Sequence, residues 1–280
     1  MIKKITAIFS LLNLLFFASP VLAMGANSQN TKQYNIPDSA VQISDNVYSL
    51  GKAKDTKTGK VVEGFAVVHY KNPEGKISGV SQAKKKNTCY GYLAAGAKWK
   101  SVESWVLNPA NTRNLAGDFL LNNISFDISK WEDAADGVAG NGRGVNILGD
   151  GSITSSDLSQ FANTLDGVNG VYFADITSPG VIAVTTVWGF WGGDIATREI
   201  VEWDQVYNDF DFDWSASGQS GKMDFENIAT HELGHSIGMA DLYTTVCNDE
   251  TMFGYAANGE IKKSTLEQGD IRGINLLYNR

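Results

Sequence analysis

The sequence predicts an α+β protein with three main helices, preceded by a small β-rich unit. Between Leu115 and Ala135 apolar residues recur at steps of three to five, which is the period of an amphipathic helix packed on a sheet. Strand-like runs lie on both sides of this helix. The chain has 280 residues, which is enough for one good core and a smaller appended unit.

The first 23 residues have the pattern of a signal peptide. Lys3 and Lys4 precede an apolar run from Ile5 to Phe17, and Val21-Leu22-Ala23 places compact residues at a cleavage site. The run is short for a membrane span, which needs about 20 apolar residues, and an uncleaved anchor is the alternative. We therefore expect a secreted, extracellular protein without stable membrane association after cleavage.

The β-rich unit covers residues 24–87. Val41–Leu50 and Val61–Tyr70 are strand-like and are joined by a charged, turn-rich run. A lysine run, Lys84 to Lys86, ends the unit. This run is either a solvated loop or a cleavage point between a pro-segment and a larger second domain over residues 88–280.

The second domain contains the three helices. One helix is predicted over Phe225–Ile237, with Asp224 as its N-cap and Gly238 as its end, and another over Thr265–Tyr278. The predicted strands are Trp99–Leu107, Gly170–Phe173, Val181–Trp188 and Arg198–Tyr207.

The net charge of the chain limits the partners that it can bind, and its cysteines bear on the cellular compartment. The formal net charge is −8, so the chain would repel the phosphates of nucleic acid and an anionic membrane surface. The two cysteines, Cys89 and Cys247, are most simply interpreted as one disulfide in an exported chain.

Two of the three histidines lie four positions apart, at His231 and His235. On a helix this spacing places both imidazoles on one face, within reach of one metal ion. Glu232 lies beside the first histidine, where its carboxylate can touch water at the metal. Zinc needs a third protein ligand, and Gly238 allows the chain to turn so that Asp241 can supply it. The alternative is an accidental pair of helix histidines.

The segment from His231 to Asp241 resembles the metzincin motif, in the version with Asp as the third zinc ligand. Thr251 to Tyr255 sits where the metzincin methionine turn belongs, and Leu266 to Ile274 resembles the final helix of the matrixins. This resemblance implies a twisted five-stranded mixed sheet over an active-site helix. It also implies a horizontal cleft in which a protein or peptide substrate is cut at an internal bond.

The same resemblance implies roles for individual residues. Zinc would be held by His231, His235 and Asp241, with Glu232 as the catalytic base. Met252 would form a hydrophobic floor beneath the zinc, and Tyr255 would help to wall the pocket that follows the scissile bond.

We also expect the chain to be made as an inactive precursor. The domains would be a signal peptide over 1–23, a pro-segment over 24–87 and a monomeric catalytic domain over 88–280. The cysteine-switch sequence of matrixin pro-segments is absent. Cys89 could still bind zinc in a latent form, but a disulfide to Cys247 explains both cysteines and is preferred.

A calcium ion is a second candidate cofactor. Residues 146–157 resemble a single calcium loop of the dockerin kind, with Asn146, Asp150 and Asp157 as ligands. Leu148 replaces one expected oxygen ligand, and a plain glycine turn is the alternative. His69 is expected to be an ordinary strand residue.

Two rival functions remain at this point. A thermolysin-type zinc hydrolase would take a downstream glutamate, Glu250 or Glu260, as its third ligand. A non-catalytic secreted calcium-binding module would be built around residues 146–157 and would leave the histidine pattern unexplained.

Overall fold

The computed structural model describes residues 32–72 and 88–279. Contacts divide the chain after Asn30, and all the described residues belong to the unit that covers 31–280. The predicted signal peptide over 1–23 and the lysine run from Lys84 to Lys86 lie outside the described residues. Within the described ranges, no helix has the length and apolar character needed to cross a membrane.

Three α-helices and a large sheet build the described part of the chain. The helices are α1 (Gly117–Ala134), α2 (Phe225–Ser236) and α3 (Gln268–Tyr278). The strands are β1 (Gln33–Tyr34), β2 (Val41–Gln42), β3 (Val47–Lys54), β4 (Val61–Lys71), β5 (Trp105–Leu107), β6 (Gly151–Ile153), β7 (Asn169–Ile176), β8 (Val181–Phe190), β9 (Glu199–Asn208), β10 (Trp214–Ser215), β11 (Met223–Asp224) and β12 (Tyr255–Ala256). The predicted α+β class with three main helices is confirmed.

Within residues 32–72 and 88–279, the main sheet has ten strands rather than the five expected. Eight of them follow the order β2-β3-β4-β8-β9-β7-β5-β6, while β1 pairs with β7 and β12 pairs with β4. The stretch β8-β9-β7-β5-β6 is a five-stranded mixed sheet in which only β8 runs antiparallel to its neighbour. The additional strands come mainly from residues 33–71, which the sequence analysis treated as a separate unit.

Strands β2, β3 and β4 form an antiparallel meander that continues the sheet beyond β8. The predicted β-rich character of this stretch is therefore realised, but within the same sheet as the second domain. Removal of 24–87 as a pro-segment stays a prediction.

Apolar side chains fill both faces of the sheet. On one face the helices pack against it, and Trp131 of α1 donates its indole N–H to the Thr230 carbonyl of α2 over 2.8 Å. This face contains large buried side chains from the sheet and the helices, including Trp105, Leu120, Ile124, Phe173, Tyr207, Phe225 and Leu233. A smaller cluster around Tyr34, Val68 and Tyr172 covers the other face. Helix α2 is thereby fixed beneath β8 and β9.

Candidate metal centre

Helix α2 carries both predicted histidine ligands. It begins where predicted, since the Asp224 carboxylate accepts the Asn227 N–H over 3.1 Å and so caps a free backbone donor. His231 and His235 then lie one turn apart, and both side chains are fully buried. The helix therefore presents two imidazoles to one enclosed point.

A tight turn at Gly238 brings the chain back to this point. Gly238 has a φ of 106°, which disfavours any residue with a Cβ, and an added Cβ would lie 2.8 Å from the Ala97 carbonyl oxygen. The Met239 N–H bonds to the Gly234 carbonyl over 2.9 Å and closes the helix end. Two residues later, Asp241 faces the two histidines.

The three predicted ligands converge on one another. Asp241 Oδ1 lies 3.1 Å from His231 Nε2 and 3.6 Å from His235 Nε2. All three atoms are buried and have no hydrogen-bond partner. Burial of a polar atom without a hydrogen-bond partner costs folding free energy. Three such atoms that face each other therefore indicate a site for a cation.

The histidine tautomers also suit a metal. His231 Nδ1 lies 2.7 Å from the Thr251 carbonyl oxygen, and His235 Nδ1 lies 3.0 Å from the Met239 carbonyl oxygen. Because a carbonyl only accepts, each Nδ1 carries the proton and each Nε2 keeps a free lone pair. Two imidazole nitrogens and one carboxylate oxygen, each oriented this way, fit zinc.

Burial and charge set the protonation of the ligands. Burial alone would raise the pKa of Asp241, but the adjacent His235 and His231 hold it well below its ordinary value. Burial lowers the pKa of His231 to about 3. The site therefore offers a carboxylate and a neutral imidazole, the forms that bind a metal.

The predicted methionine turn lies directly behind the helix. Met252 is fully buried, and a Cβ added to Gly234 would lie 2.9 Å from its Cε and closer still to its Sδ. Asp270 of α3 holds this turn by accepting the Thr251 N–H over 2.7 Å and the Met252 N–H over 3.3 Å. Since the Thr251 carbonyl in turn orients His231, α3 positions a ligand through the turn. Tyr255 lies in β12, and its role as a pocket wall stays a prediction.

Glu232 makes two side-chain contacts inside the protein. Its Oε2 accepts the Thr185 hydroxyl over 2.6 Å, and its Oε1 lies 2.9 Å from His69 Nδ1. Burial raises the pKa of Glu232 to about 7. His69 does lie on a strand, as expected, but no local sequence pattern predicts its contact with Glu232.

A buried lysine completes the surroundings of His69. Lys263 donates to the Phe253 carbonyl, and its Nζ lies 3.3 Å from His69 Nε2. An ammonium only donates, so His69 Nε2 accepts and His69 Nδ1 donates to Glu232. Burial lowers the pKa of Lys263 to about 8. No spacing pattern indicated Lys263, because it lies in a short 3₁₀ helix, Lys262–Ser264, well beyond the histidine motif in sequence.

The cysteine prediction is confirmed, since Cys89 and Cys247 form a disulfide with their Cα atoms 5.5 Å apart. Cys89 is therefore not a zinc ligand in this state. The rival ligand Glu250 instead accepts the backbone N–H of Gly269 over 2.9 Å. Within residues 32–72 and 88–279, neither Glu250 nor Glu260 belongs to a group of side chains that could hold a metal.

The predicted calcium loop does not gather its ligands in this way. Gly151–Ile153 forms β6, and Asp157 bonds to the Ser159 hydroxyl over 2.7 Å. Across the described ranges, Asn146, Asp150 and Asp157 do not form a metal-holding group. Calcium binding stays a prediction without support from this geometry.

Residues 196–279 match the matrixin family model, Peptidase_M10. This match supports a matrixin-like metzincin. The matched residues include α2, the predicted methionine turn and α3, that is, the elements that build the candidate metal site. The matrixin match supports a zinc-dependent metallopeptidase that acts on proteins or peptides. No curated protein matches the chain.

Proposed function

We propose that this protein is a secreted zinc endopeptidase that uses Glu232 as its general base. The observation that carries the proposal is the meeting of three buried, unpartnered ligand atoms from His231, His235 and Asp241 next to that carboxylate. Secretion is supported by the signal-peptide pattern over residues 1–23.

The proposed reaction is hydrolysis of a peptide bond without a covalent intermediate. His231, His235 and Asp241 would hold the zinc, which would supply a Lewis acid to polarise the scissile carbonyl and to make water a better nucleophile at neutral pH. Glu232 accepts a proton from the attacking water and passes it to the leaving amine. Thr185 donates to Glu232 Oε2 and so fixes the carboxylate beside His69 and His231.

The surrounding residues would act by positioning. The Thr251 and Met239 carbonyls fix the two imidazole rings, and Met252 supports the helix from behind. Asp241 contributes a negative charge, which would make the bound zinc a milder Lewis acid than a third histidine would.

Substitution of the base tests the proposal. Glu232→Ala should keep one zinc per chain and lower kcat for casein or a fluorogenic peptide by about 100-fold or more, since the proton acceptor is lost. Zinc content is measured by elemental analysis, and chelation with phenanthroline should abolish turnover in the unchanged protein.

Glu226→Ala is the matched control, because Glu226 lies on the first turn of the same helix and pairs with Lys130 rather than with the site. This variant should keep its activity. Appreciable turnover by Glu232→Ala would refute the role of Glu232.

A further inference from the structure

Lys263 is a buried cation beside the candidate metal site, and the proposed reaction does not use it. Its side chain is fully buried, and its ammonium donates to the Phe253 carbonyl and, over 3.3 Å, to His69 Nε2. Burial holds the pKa of His69 well below its ordinary value, so both acceptors are neutral. A buried charge is costly unless an opposite charge accompanies it, so a lysine in this place favours an anion beside it.

The acids near Lys263 have other partners. Glu260 pairs with Lys262 over 3.8 Å, while Glu232 and Asp241 face the histidines of the site. In residues 32–72 and 88–279, no carboxylate forms an ion pair with Lys263. Within this part of the chain, the ammonium therefore has neutral acceptors in place of a carboxylate.

The backbone of Lys263 is held from two sides. Its N–H donates over 2.8 Å to Oδ1 of Asn227, on the first turn of α2, and its carbonyl accepts the Thr251 hydroxyl over 3.4 Å. The helix that carries the histidines and the predicted methionine turn thus fix the lysine together. A group that is already ordered binds a ligand without a further loss of conformational freedom.

The ring of His69 shows where a side chain can lie next to this ammonium. It packs on the His231 ring, with the two centroids 4.0 Å apart and the planes inclined by 34°. Its Nδ1 lies 2.9 Å from Glu232 Oε1, and its Nε2 lies 3.3 Å from Lys263 Nζ. The space that the ring fills therefore begins at the proposed base, runs along a predicted zinc ligand and ends at the lysine.

A substrate peptide would place one of its own side chains in this space. Glu232 is proposed to act on water at the scissile carbonyl, so the side chains that flank that bond lie next to this carboxylate. Phe253, whose carbonyl holds the ammonium, lies two residues before Tyr255, the predicted wall of the pocket that follows the scissile bond. The side chain that reaches Lys263 is therefore that of the residue after the scissile bond.

We propose that Lys263 selects substrates with an acidic side chain, aspartate or glutamate, at the residue that follows the scissile bond. This inference rests on the proposed peptidase function and names the substrate class of that site. The substrate carboxylate would replace His69 Nε2 as an acceptor for the ammonium. With zinc bound, the charges of Asp241 and Glu232 balance the metal, and one substrate carboxylate would neutralise the remaining charge on Lys263.

The pairing should distinguish glutamate from glutamine. Charge-assisted hydrogen bonds are roughly twice as strong as neutral ones, and they are strongest where water is excluded. We therefore expect kcat/KM for a peptide with glutamate after the scissile bond to exceed that for glutamine by about 10-fold or more. A substrate lysine at this position should be cleaved least, because two ammonium groups would repel each other.

Peptide cleavage tests this preference. Fluorogenic peptides that differ only after the scissile bond, with glutamate, glutamine, leucine or lysine there, are assayed with zinc-loaded protein that hydrolyses casein, and mass spectrometry confirms the bond that is cut. Lys263→Met should cleave the leucine peptide and lose the preference for glutamate over glutamine. Lys263→Glu should favour the lysine peptide. Lys262→Met is the matched control, since the side chain of Lys262 is 38% exposed and pairs with Glu260, and this variant should keep the preference.

A carboxylate placed inside the chain tests the same pairing without any cleavage. His69→Glu puts an acid where the ring lies, and His69→Gln is its neutral counterpart. Both are compared with and without Lys263→Met in a double-mutant cycle, in which repulsion from Glu232 cancels. In urea denaturation with excess zinc, Lys263 should lower the unfolding equilibrium constant of the glutamate variant, relative to the glutamine variant, by about 10-fold or more.

The two experiments separate this inference from the peptidase proposal. Equal cleavage of the glutamate and glutamine peptides by the unchanged protein, or a cycle without coupling, would overturn the role of Lys263 and leave the peptidase standing. If no preparation of the chain hydrolysed casein or any peptide, the peptidase would be rejected and the substrate class with it, even with coupling in the cycle. Coupling and an acidic preference that Lys263→Met removes and Lys262→Met keeps would uphold the inference.

Discussion

Asp241 shows most clearly how single residues decide the candidate site, because it reaches His231 and His235 only after the chain reverses at Gly238. The sequence could indicate Asp241, Glu232 and the two histidines because their chemistry depends on spacing within eleven positions of one helix and its turn. It could not indicate His69 or Asn46. Their contacts with the site depend on tertiary pairing over more than 160 residues, which leaves no local pattern.

Zinc binding by variants tests the ligand set. Asp241→Ala should weaken zinc binding by about 100-fold or more, because it removes one of three ligands and its charge. Zinc content after competition with a chelator is the measurement.

Glu250→Gln is the control for this experiment, since Glu250 is an equally buried acid that bonds to Gly269 at the start of α3. It should retain zinc. The ligand assignment would have to change if Glu250→Gln lost its zinc while Asp241→Ala kept it.

At the scale of elements, the long periodic segments were predicted well and the short ones were not. Helices α1 and α2 begin and end within two residues of the expected positions. The apolar period predicts the extent of α1, and for α2 the Asp224 cap and Gly238 mark its two ends. Helix α3 begins at Gln268 rather than Thr265, because Glu267 and Asp270 form a capping box. The expected strand over Trp99–Leu107 is reduced to β5, which pairs only where β6 and β7 lie alongside it.

The packing of α2 on the methionine turn gives a prediction at this scale. Gly234→Ala should lower the free energy of unfolding by about 1–3 kcal/mol, because the added methyl group meets the Met252 side chain and lies 3.0 Å from Trp131. Urea denaturation measures the change. Gly192→Ala is the matched control, since nothing lies within 4 Å of its added Cβ. Equal stability of the two variants would contradict the close packing.

At the scale of the whole molecule, the sequence predicts a separate unit over 24–87, and the described part of that range, residues 32–72, contributes strands to the same sheet as β8. The composition of Val61–Tyr70 marked it as a strand, and that was correct. Which sheet a strand joins depends on partners far along the chain, here β8, more than 110 residues away. Local patterns carry no information on such pairing.

A buried acid in the centre of the sheet makes stability depend on pH. Glu202 of β9 is 1% exposed and accepts the Asp166 N–H over 3.1 Å; burial raises its pKa to about 8. The folded state therefore keeps this proton at pH values where the unfolded state, with an ordinary pKa near 4.5, has lost it. Protons favour the folded state in this window, so the contribution of Glu202 to stability falls as pH rises from about 4.5 to 8.

The variant Glu202→Gln cannot lose a proton and should not show this fall. Between pH 5 and 8 the unfolding free energy of the unchanged protein should decline by roughly 2 kcal/mol relative to the variant. Urea denaturation in excess zinc at several pH values checks this. Asp118→Asn, at an exposed position on α1, should follow the unchanged protein. If the difference in unfolding free energy between Glu202→Gln and the unchanged protein stayed constant with pH, Glu202 would not be the cause of the pH dependence.

The position of the disulfide determines how a chain with a cut backbone would migrate on a denaturing gel. The chain has two cysteines, both C-terminal to residues 73–87, and they are bonded to each other. A break in the backbone within 73–87 therefore leaves no covalent link between the pieces. Such a molecule would run as two bands on a denaturing gel even without reductant. In the larger piece, the disulfide to Cys247 would still hold Cys89 beside the loop that follows Asp241.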